Sequence, residues 1–227
     1  MRRVFVVIER RADYSRYKPI LDEMVKDEFF DIYLVVTGIC LLEKHGKDIQ
    51  YIREDGFEIK AEIPMFLENG EDTEGEMVRS MSRALTGLVD ELEKAKPDVV
   101  LSGFDIGGNF AVTVAAAHMN IPVAHIQGGE VTGSIDESIR HAMSKFAHIH
   151  FPATELSKER LIRMGEKAED IYVVGCPSID VLINTALLDR SVVEKELDID
   201  LSKPTMLNHQ HCRFRKIYVK FFLYHTS

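Results

Sequence analysis

Short apolar runs that alternate with helical patterns are the feature that most constrains this fold. The first run, VFVVI at residues 4–8, has the length of a buried strand, and a helical pattern follows at 13–26. Further strands are predicted at 31–38, 98–103, 121–126, 148–154 and 171–177, with helices at 74–96, 110–120, 136–147 and 157–165. Strands that are separated by helices run parallel. We therefore predict an α/β fold, a Rossmann-like parallel sheet with helices on both faces.

Size, charge and cysteine content narrow the class of protein. A chain of 227 residues suits one large domain or one and a fraction. The net charge of -9 argues against nucleic acid as a partner, but it leaves room for an anionic small ligand bound at a local positive site. The three cysteines form no CxxC pair, which favours a reducing cytoplasm. No apolar run approaches the roughly 20 residues of a membrane span, so no membrane partner is expected.

The end of the chain differs from the rest. From Thr205 onward it has no acidic residue and is rich in basic and aromatic ones. One interpretation is a basic tail; the one we favour is a truncated or frame-shifted end, because the pattern breaks within an element. We predict a Rossmann-like domain with the chemical loops at 1–180. Residues 181–227 are predicted to be a linker and an aberrant start of a second such domain.

Unusual residues follow three of the predicted strands. The segments are ERRADYS at 9–15, FDIGGN at 104–109 and QGGEVTGSIDESIRH at 127–141. Ligands of doubly wound sheets bind beyond the carboxyl ends of the strands, so we expect these loops to line one cleft. Each residue also has a structural interpretation: Asp13 and Ser15 as helix caps, and His125 as a core histidine. The glycines favour the cleft, because they let a ligand approach the backbone.

Several familiar chemistries lack their motifs. No GxGxxG follows the first strand, and neither GxxxxGK[ST] nor GxSxG occurs. His148 and His150 alternate along a predicted strand and therefore point to opposite faces, so they cannot share a metal from one side. The dinucleotide and P-loop interpretations therefore lose support, and the sequence shows no convincing metal-binding cluster.

Three segments together resemble the UDP-N-acetylglucosamine 2-epimerases, specifically the hydrolysing type of sialic acid synthesis. They are RADYS at 11–15, HIQGGEVTGSIDESIRHAMSKFAH at 125–148 and GCPSID at 175–180. The resemblance implies that the chain is the N-terminal half of a two-domain, GT-B-like fold. It also implies a UDP-N-acetylglucosamine substrate, N-acetylmannosamine and UDP as products, and a dimer or tetramer in full-length form. For this reaction it implies no cofactor, neither a metal nor a nicotinamide. Relatives that act on a UDP-linked diacetamido sugar share these motifs.

The resemblance also implies roles for individual residues. Its catalytic candidates are Asp105, Glu130, Asp136, Glu137 and His211. Its substrate-binding candidates are Arg11, Ser15, His125, Arg140 and His141. Where the family commonly has GDR after the fourth strand, this chain has GFDIGGN, which keeps an aspartate but has no arginine. The loop is also one residue longer here than in the family.

Two other functions remain open at this stage. One is a nucleotide-sugar glycosyltransferase of the same two-domain fold, which would need an acceptor site. The other is a one-domain, non-catalytic nucleotide-sugar-binding remnant. We expect this polypeptide alone to be inactive or very weak, because half a cleft neither excludes water nor holds a nucleotide tightly.

Overall fold

The computed structural model describes residues 1–71, 73–105 and 107–206. Its centre is a parallel sheet of six strands in the order β3-β2-β1-β4-β5-β6. The strands are β1 (Arg2–Ile8), β2 (Phe30–Thr37), β3 (Ile59–Ile63), β4 (Val99–Gly103), β5 (Val123–Ile126) and β6 (Ile149–Phe151). Chain order reverses between the neighbours β1 and β4, and such a switch point opens a crevice at the carboxyl ends of the two strands.

Helices follow the strands and cover both faces of the sheet. They are α1 (Arg11–Lys26), α2 (Ile49–Glu54), α3 (Glu74–Ala95), α4 (Gly107–His118), α5 (Ile135–Phe146), α6 (Glu155–Arg163), α7 (Pro177–Asn184) and α8 (Arg190–Leu197). Short 3-10 turns lie at Gly38–Leu41, Glu43–His45 and Ala168–Asp170. The prediction of a parallel α/β sheet is confirmed. Within the described ranges, no helix has the length and apolar character that crossing a membrane demands.

The core has one layer on each side of the sheet, and β1 contributes to both. Val4, Val6 and Ile8 pack in the layer covered by α1, whereas Phe5 and Val7 pack in the layer covered by α3 and α4. A central parallel strand that is buried on both faces reads as a continuous apolar run, which explains VFVVI. Burial of β1 fixes where its last residue, and hence the following loop, lies.

The predicted strand at 171–177 is wrong. Only Ile171 bridges β6, through His150, and the Tyr172 N–H donates to the His150 carbonyl over 2.9 Å. Pro152, two residues after His150, accepts the Val174 N–H over 3.1 Å but has no N–H of its own to return a bond. The segment therefore runs beside β6 without forming a ladder.

Strand β3 was not predicted. It lies at the edge of the sheet, and its sequence IKAEI carries the charged residues Lys60 and Glu62. Charged side chains are common on edge strands, where they discourage pairing with other chains. They also remove the apolar run by which a central strand is recognised.

The chain divides into two compact units, Met1–Asn184 and a second that begins at Thr185. The first contains the sheet and helices α1 to α7. The second contains α8, where the Leu201 N–H donates to Glu194 Oε1 over 3.0 Å. The domain limits of 1–180 and 181–227 stay a prediction.

Candidate active site

The three predicted loops meet at the carboxyl edge of the sheet. Asp105, in the loop after β4, connects them through two ion pairs. Its Oδ1 lies 3.6 Å from Nη2 of Arg10, two residues after β1. Its Oδ2 pairs with Nη2 of Arg140, on α5 after β5. The loops thus converge at the switch point between β1 and β4.

The guanidinium of Arg140 is buried between two of these loops. Only 4% of its side chain is exposed, and its Nη1 donates to the carbonyl of Glu130 over 2.8 Å. A buried guanidinium is stable when its donors are paired, and here it holds Asp105 and the backbone of Glu130 together. The arginine that is missing beside Asp105 in the sequence is supplied in space by Arg10 and Arg140.

Arg10 was not predicted as a site residue. The N-cap of α1, a position for which Asp13 was a candidate, is occupied by Arg10, and Asp13 is the third residue of the first turn. Asp13 is fully buried, accepts the Arg10 N–H over 3.0 Å, and pairs with Arg10 Nη2 over 3.0 Å. Burial raises the pKa of Asp13, while the neighbouring guanidinium of Arg10 opposes that change. The sequence signal for Arg10 was its position two residues after the buried run VFVVI.

Glu130 lies on the loop between β5 and α5 and has a neutral partner. Gln127 Nε2 donates to Glu130 Oε1 over 3.3 Å and to Cys176 Sγ over 3.4 Å. Gln127 was also missed. Its backbone is left-handed, with φ of 57°, and its N–H donates to the Phe151 carbonyl over 2.9 Å. This tie to β6 places the amide of Gln127 beside the carboxylate of Glu130.

The carboxylates of Asp136 and Glu137 have different surroundings. Glu137 Oε2 accepts the backbone N–H groups of Thr132 and Gly133, each over 2.8 Å, and these bonds lower its pKa. Asp136 is exposed and accepts the Ser134 hydroxyl over 3.1 Å. Glu137 therefore closes the loop onto α5, while Asp136 stands at the solvent side.

The two histidines of this region also differ. His125 is fully buried, its Nδ1 lies 3.1 Å from the Ser144 hydroxyl, and burial lowers its pKa to about 3. It is therefore neutral near pH 7 and packs beneath α5. His141 is half-buried, and its Nε2 lies 3.9 Å from Glu137 Oε1. His141 thus lies on the same side of α5 as the loop-closing carboxylate.

Arg11 and Ser15 lie on the exposed part of α1. The Arg11 guanidinium stacks 4.5 Å from the ring centroid of Tyr51, and the Ser15 hydroxyl donates to the Ala12 carbonyl over 2.9 Å. Both side chains are accessible to a ligand. His211, the remaining predicted site residue, lies outside the described residues. Within those ranges, no group of three or more His, Cys, Asp or Glu side chains is arranged to hold a metal ion.

Comparison with known proteins decides the family. The sequence model described as UDP-N-acetylglucosamine 2-epimerase matches residues 22–217. The chain belongs to this family. A UDP-N,N'-diacetylbacillosamine 2-epimerase (hydrolyzing) from Legionella pneumophila is 38% identical over 211 residues, which are 93% of this chain and 55% of the relative. A GDP/UDP-N,N'-diacetylbacillosamine 2-epimerase (hydrolyzing) from Campylobacter jejuni is 31% identical, over 92% of this chain and 54% of the relative. The chain thus spans about half the length of these family relatives.

Solved structures of the family have the same fold. The Neisseria meningitidis UDP-GlcNAc 2-epimerase bound to UDP-GlcNAc matches with a TM-score of 0.69 and 23% identity, over 88% of this chain and 51% of that one. MurG of Acinetobacter baumannii matches with a TM-score of 0.51 and 12% identity, over 78% of this chain and 45% of that one. The prediction of a Rossmann-like, GT-B-related fold in this epimerase family is confirmed.

Proposed function

We propose that this chain supplies the carboxylate-bearing half of a hydrolysing 2-epimerase that acts on a UDP-linked 2-acetamido sugar. The observation that carries the proposal is Asp105, which lies between Arg10 and Arg140 at the switch point, with Glu130 on the adjoining loop. Membership of the family and three converging loops support it. The first substrate to test is UDP-N-acetylglucosamine, with N-acetylmannosamine and UDP as products.

The reaction needs more than one acid/base group. A base removes the C2 proton while the C1–O bond breaks, and UDP leaves behind a glycal. Water then forms the new C1–O bond, and a proton returns to C2 on the opposite face. The C2 hydrogen is a poor acid, so the base must be held close to it. The net reaction converts the sugar nucleotide and one water molecule into the epimerised free sugar and UDP.

The proposed roles follow from position and charge. Glu130 and Asp105 act as acid/base groups at C2 and C1, and the guanidiniums of Arg10 and Arg140 stabilise negative charge as it develops. Asp136 is the more accessible member of the carboxylate pair, so we assign the remaining proton transfer to it. Glu137, His125 and His141 support the loop. Arg11 and Ser15 contact the nucleotide, and His211 keeps its predicted catalytic role.

A second candidate function is the same reaction on a different UDP-linked sugar. Two relatives that are 38% and 31% identical are named diacetylbacillosamine 2-epimerases, whereas a Neisseria meningitidis UDP-N-acetylglucosamine 2-epimerase is 29% identical. These identities favour a UDP-linked diacetamido sugar. N,N'-diacetylbacillosamine differs from N-acetylglucosamine at C4, where an acetamido group replaces a hydroxyl, and at C6, which carries no hydroxyl. The chemistry at C1 and C2 is the same.

The test measures UDP release and sugar NMR in deuterated water with each sugar nucleotide. Because the chain spans about half of its relatives, it is assayed alone and joined to the second half of the Legionella relative. We expect deuterium at C2 of the product from the joined protein, and loss of turnover in Glu130→Gln. Glu93→Gln, an exposed glutamate on α3, is the matched control and should retain activity.

Other outcomes point elsewhere. UDP release without epimerisation would indicate a hydrolase or transferase. If neither sugar turns over in the joined protein while the intact relative works, the epimerase proposal fails. Saturable binding of UDP-N-acetylglucosamine by the chain would then favour a non-catalytic remnant.

A further inference from the structure

Glu9 is a buried carboxyl group that the proposed reaction does not use. It follows β1 directly, and only 6% of the residue is exposed. Its Oε2 accepts the N–H of Gly108, in the first turn of α4, over 2.5 Å. Its own carbonyl accepts the Cys40 N–H over 3.2 Å. Glu9 therefore contacts the segments that follow β2 and β4.

Two glycines make the space for this side chain. A Cβ at Gly38 would lie 2.2 Å from Glu9 Cγ, and a Cβ at Gly108 would lie 2.8 Å from Glu9 Oε2. Gly38 also has a φ of 65°, which side-chain-bearing residues rarely adopt. Any larger residue at either position forces Glu9 to move. The packing at the switch point is thus shaped around a glutamate side chain.

Glu9 joins the two segments that carry the central ion pair of the site. It precedes Arg10 in the chain, and Gly108 follows Asp105 by three residues. We propose that Glu9 is a positioning residue, which couples the end of β1 to the start of α4 and so holds Arg10 and Asp105 in register. The inference rests on the proposed function, because only there does the Arg10–Asp105 pair have a task.

The charge of Glu9 determines how this coupling behaves. Burial raises the pKa of the Glu9 carboxyl to about 7. The Gly108 N–H and Arg10 lower it, and Asp13 and Asp105 raise it. Cys40 lies on the segment after β2, the other segment that Glu9 contacts. Burial raises the pKa of its thiol to about 12, so the thiol stays neutral. Below pH 7 Glu9 is neutral; above it, an ionised Glu9 competes with Asp105 for the guanidinium of Arg10.

The test follows three NMR signals of the full chain between pH 5 and pH 9. They are the Gly108 amide, the Arg10 side-chain N–H and the Asp105 carboxyl carbon. We expect the signals of the Gly108 amide and of the Arg10 side-chain N–H to shift together, with a midpoint near pH 7. Glu9→Gln, which has the shape of the neutral side chain, should abolish that titration. Glu23→Gln, an exposed glutamate of α1, should leave it unchanged.

The outcomes separate the inference from the proposed function. If Gly108 titrates and Arg10 does not, Glu9 is a packing residue only and the inference is overturned. The same holds if the titration survives in Glu9→Gln. In the joined enzyme we expect kcat to decrease above about pH 7, because ionised Glu9 competes with Asp105 for Arg10. Glu9→Gln should lose that decrease while KM changes little. If the joint titration is present but no sugar nucleotide turns over at any pH, the coupling stands and the proposed function fails.

Discussion

Carboxylates at the same edge of the sheet occupy two different environments. The inner carboxylates are Glu9, directly after β1, and Asp13, in the first turn of α1, and burial raises the pKa of both. The outer carboxylates, Asp136 and Glu137, lie in the first turn of α5, and two backbone N–H groups lower the pKa of Glu137. Carboxyl groups at one edge of the sheet thus differ in the direction in which the fold shifts their pKa.

Among the predicted changes, breaking the ion pair between Arg140 and Asp105 should have the largest effect on stability. Arg140→Met leaves Asp105, whose side chain is only 18% exposed, without its buried partner. We expect a loss of about 3 kcal/mol in the free energy of unfolding, measured by denaturant titration. The matched control is Arg163→Met, because Arg163 is 77% exposed and pairs with Glu159 at the surface. Arg163→Met should lower the free energy of unfolding by less than about 1 kcal/mol. Equal losses for the two variants would contradict the expected difference between the buried and the exposed ion pair.

Glu9→Gln tests the inner carboxylates. The pKa of Glu9 is raised by folding from 4.5 to about 7, so folding favours the protonated form. This contribution to stability is complete below pH 4.5 and is lost as the pH rises through about 7. Relative to Glu9→Gln, the natural chain should lose about 3 kcal/mol between those limits.

The measurement is the free energy of unfolding of both proteins at several pH values. A difference that stays constant from pH 4 to pH 8 would show that Glu9 does not change its protonation on folding.

Glu137→Gln tests the outer carboxylates and should have the smallest effect. The folded pKa of Glu137 is lowered, so its contribution is present above its normal pKa and is lost as the pH falls through the folded pKa. The variant should melt at a slightly lower temperature near pH 7, and the two proteins should melt alike in acid. Asp136→Asn, one residue away, should not change the melting temperature. Equal shifts for both variants would mean that the two carboxylates are equivalent.

The strand ends were predictable because burial leaves a direct trace in the sequence. VFVVI and VAHI mark strands with no exposed face, and the polar residues after them had to lie at the carboxyl edge. Edge elements leave a weaker trace. Strand β3 was missed because two of its five side chains are charged. Residues 171–177 were misassigned because an apolar segment beside Pro152 cannot build a ladder.

The sequence by itself determined the fold class, the three chemical loops and the family resemblance, because periodicity and local motifs are properties of neighbouring residues. Tertiary structure alone decided the partners. Arg140 is 35 residues from Asp105 in the chain, and Gly108 is 99 residues from Glu9. Nothing local predicts those contacts or the burial that sets the pKa of Glu9. They arise because a parallel sheet brings distant strand ends to one edge, where water is excluded and charges must find each other.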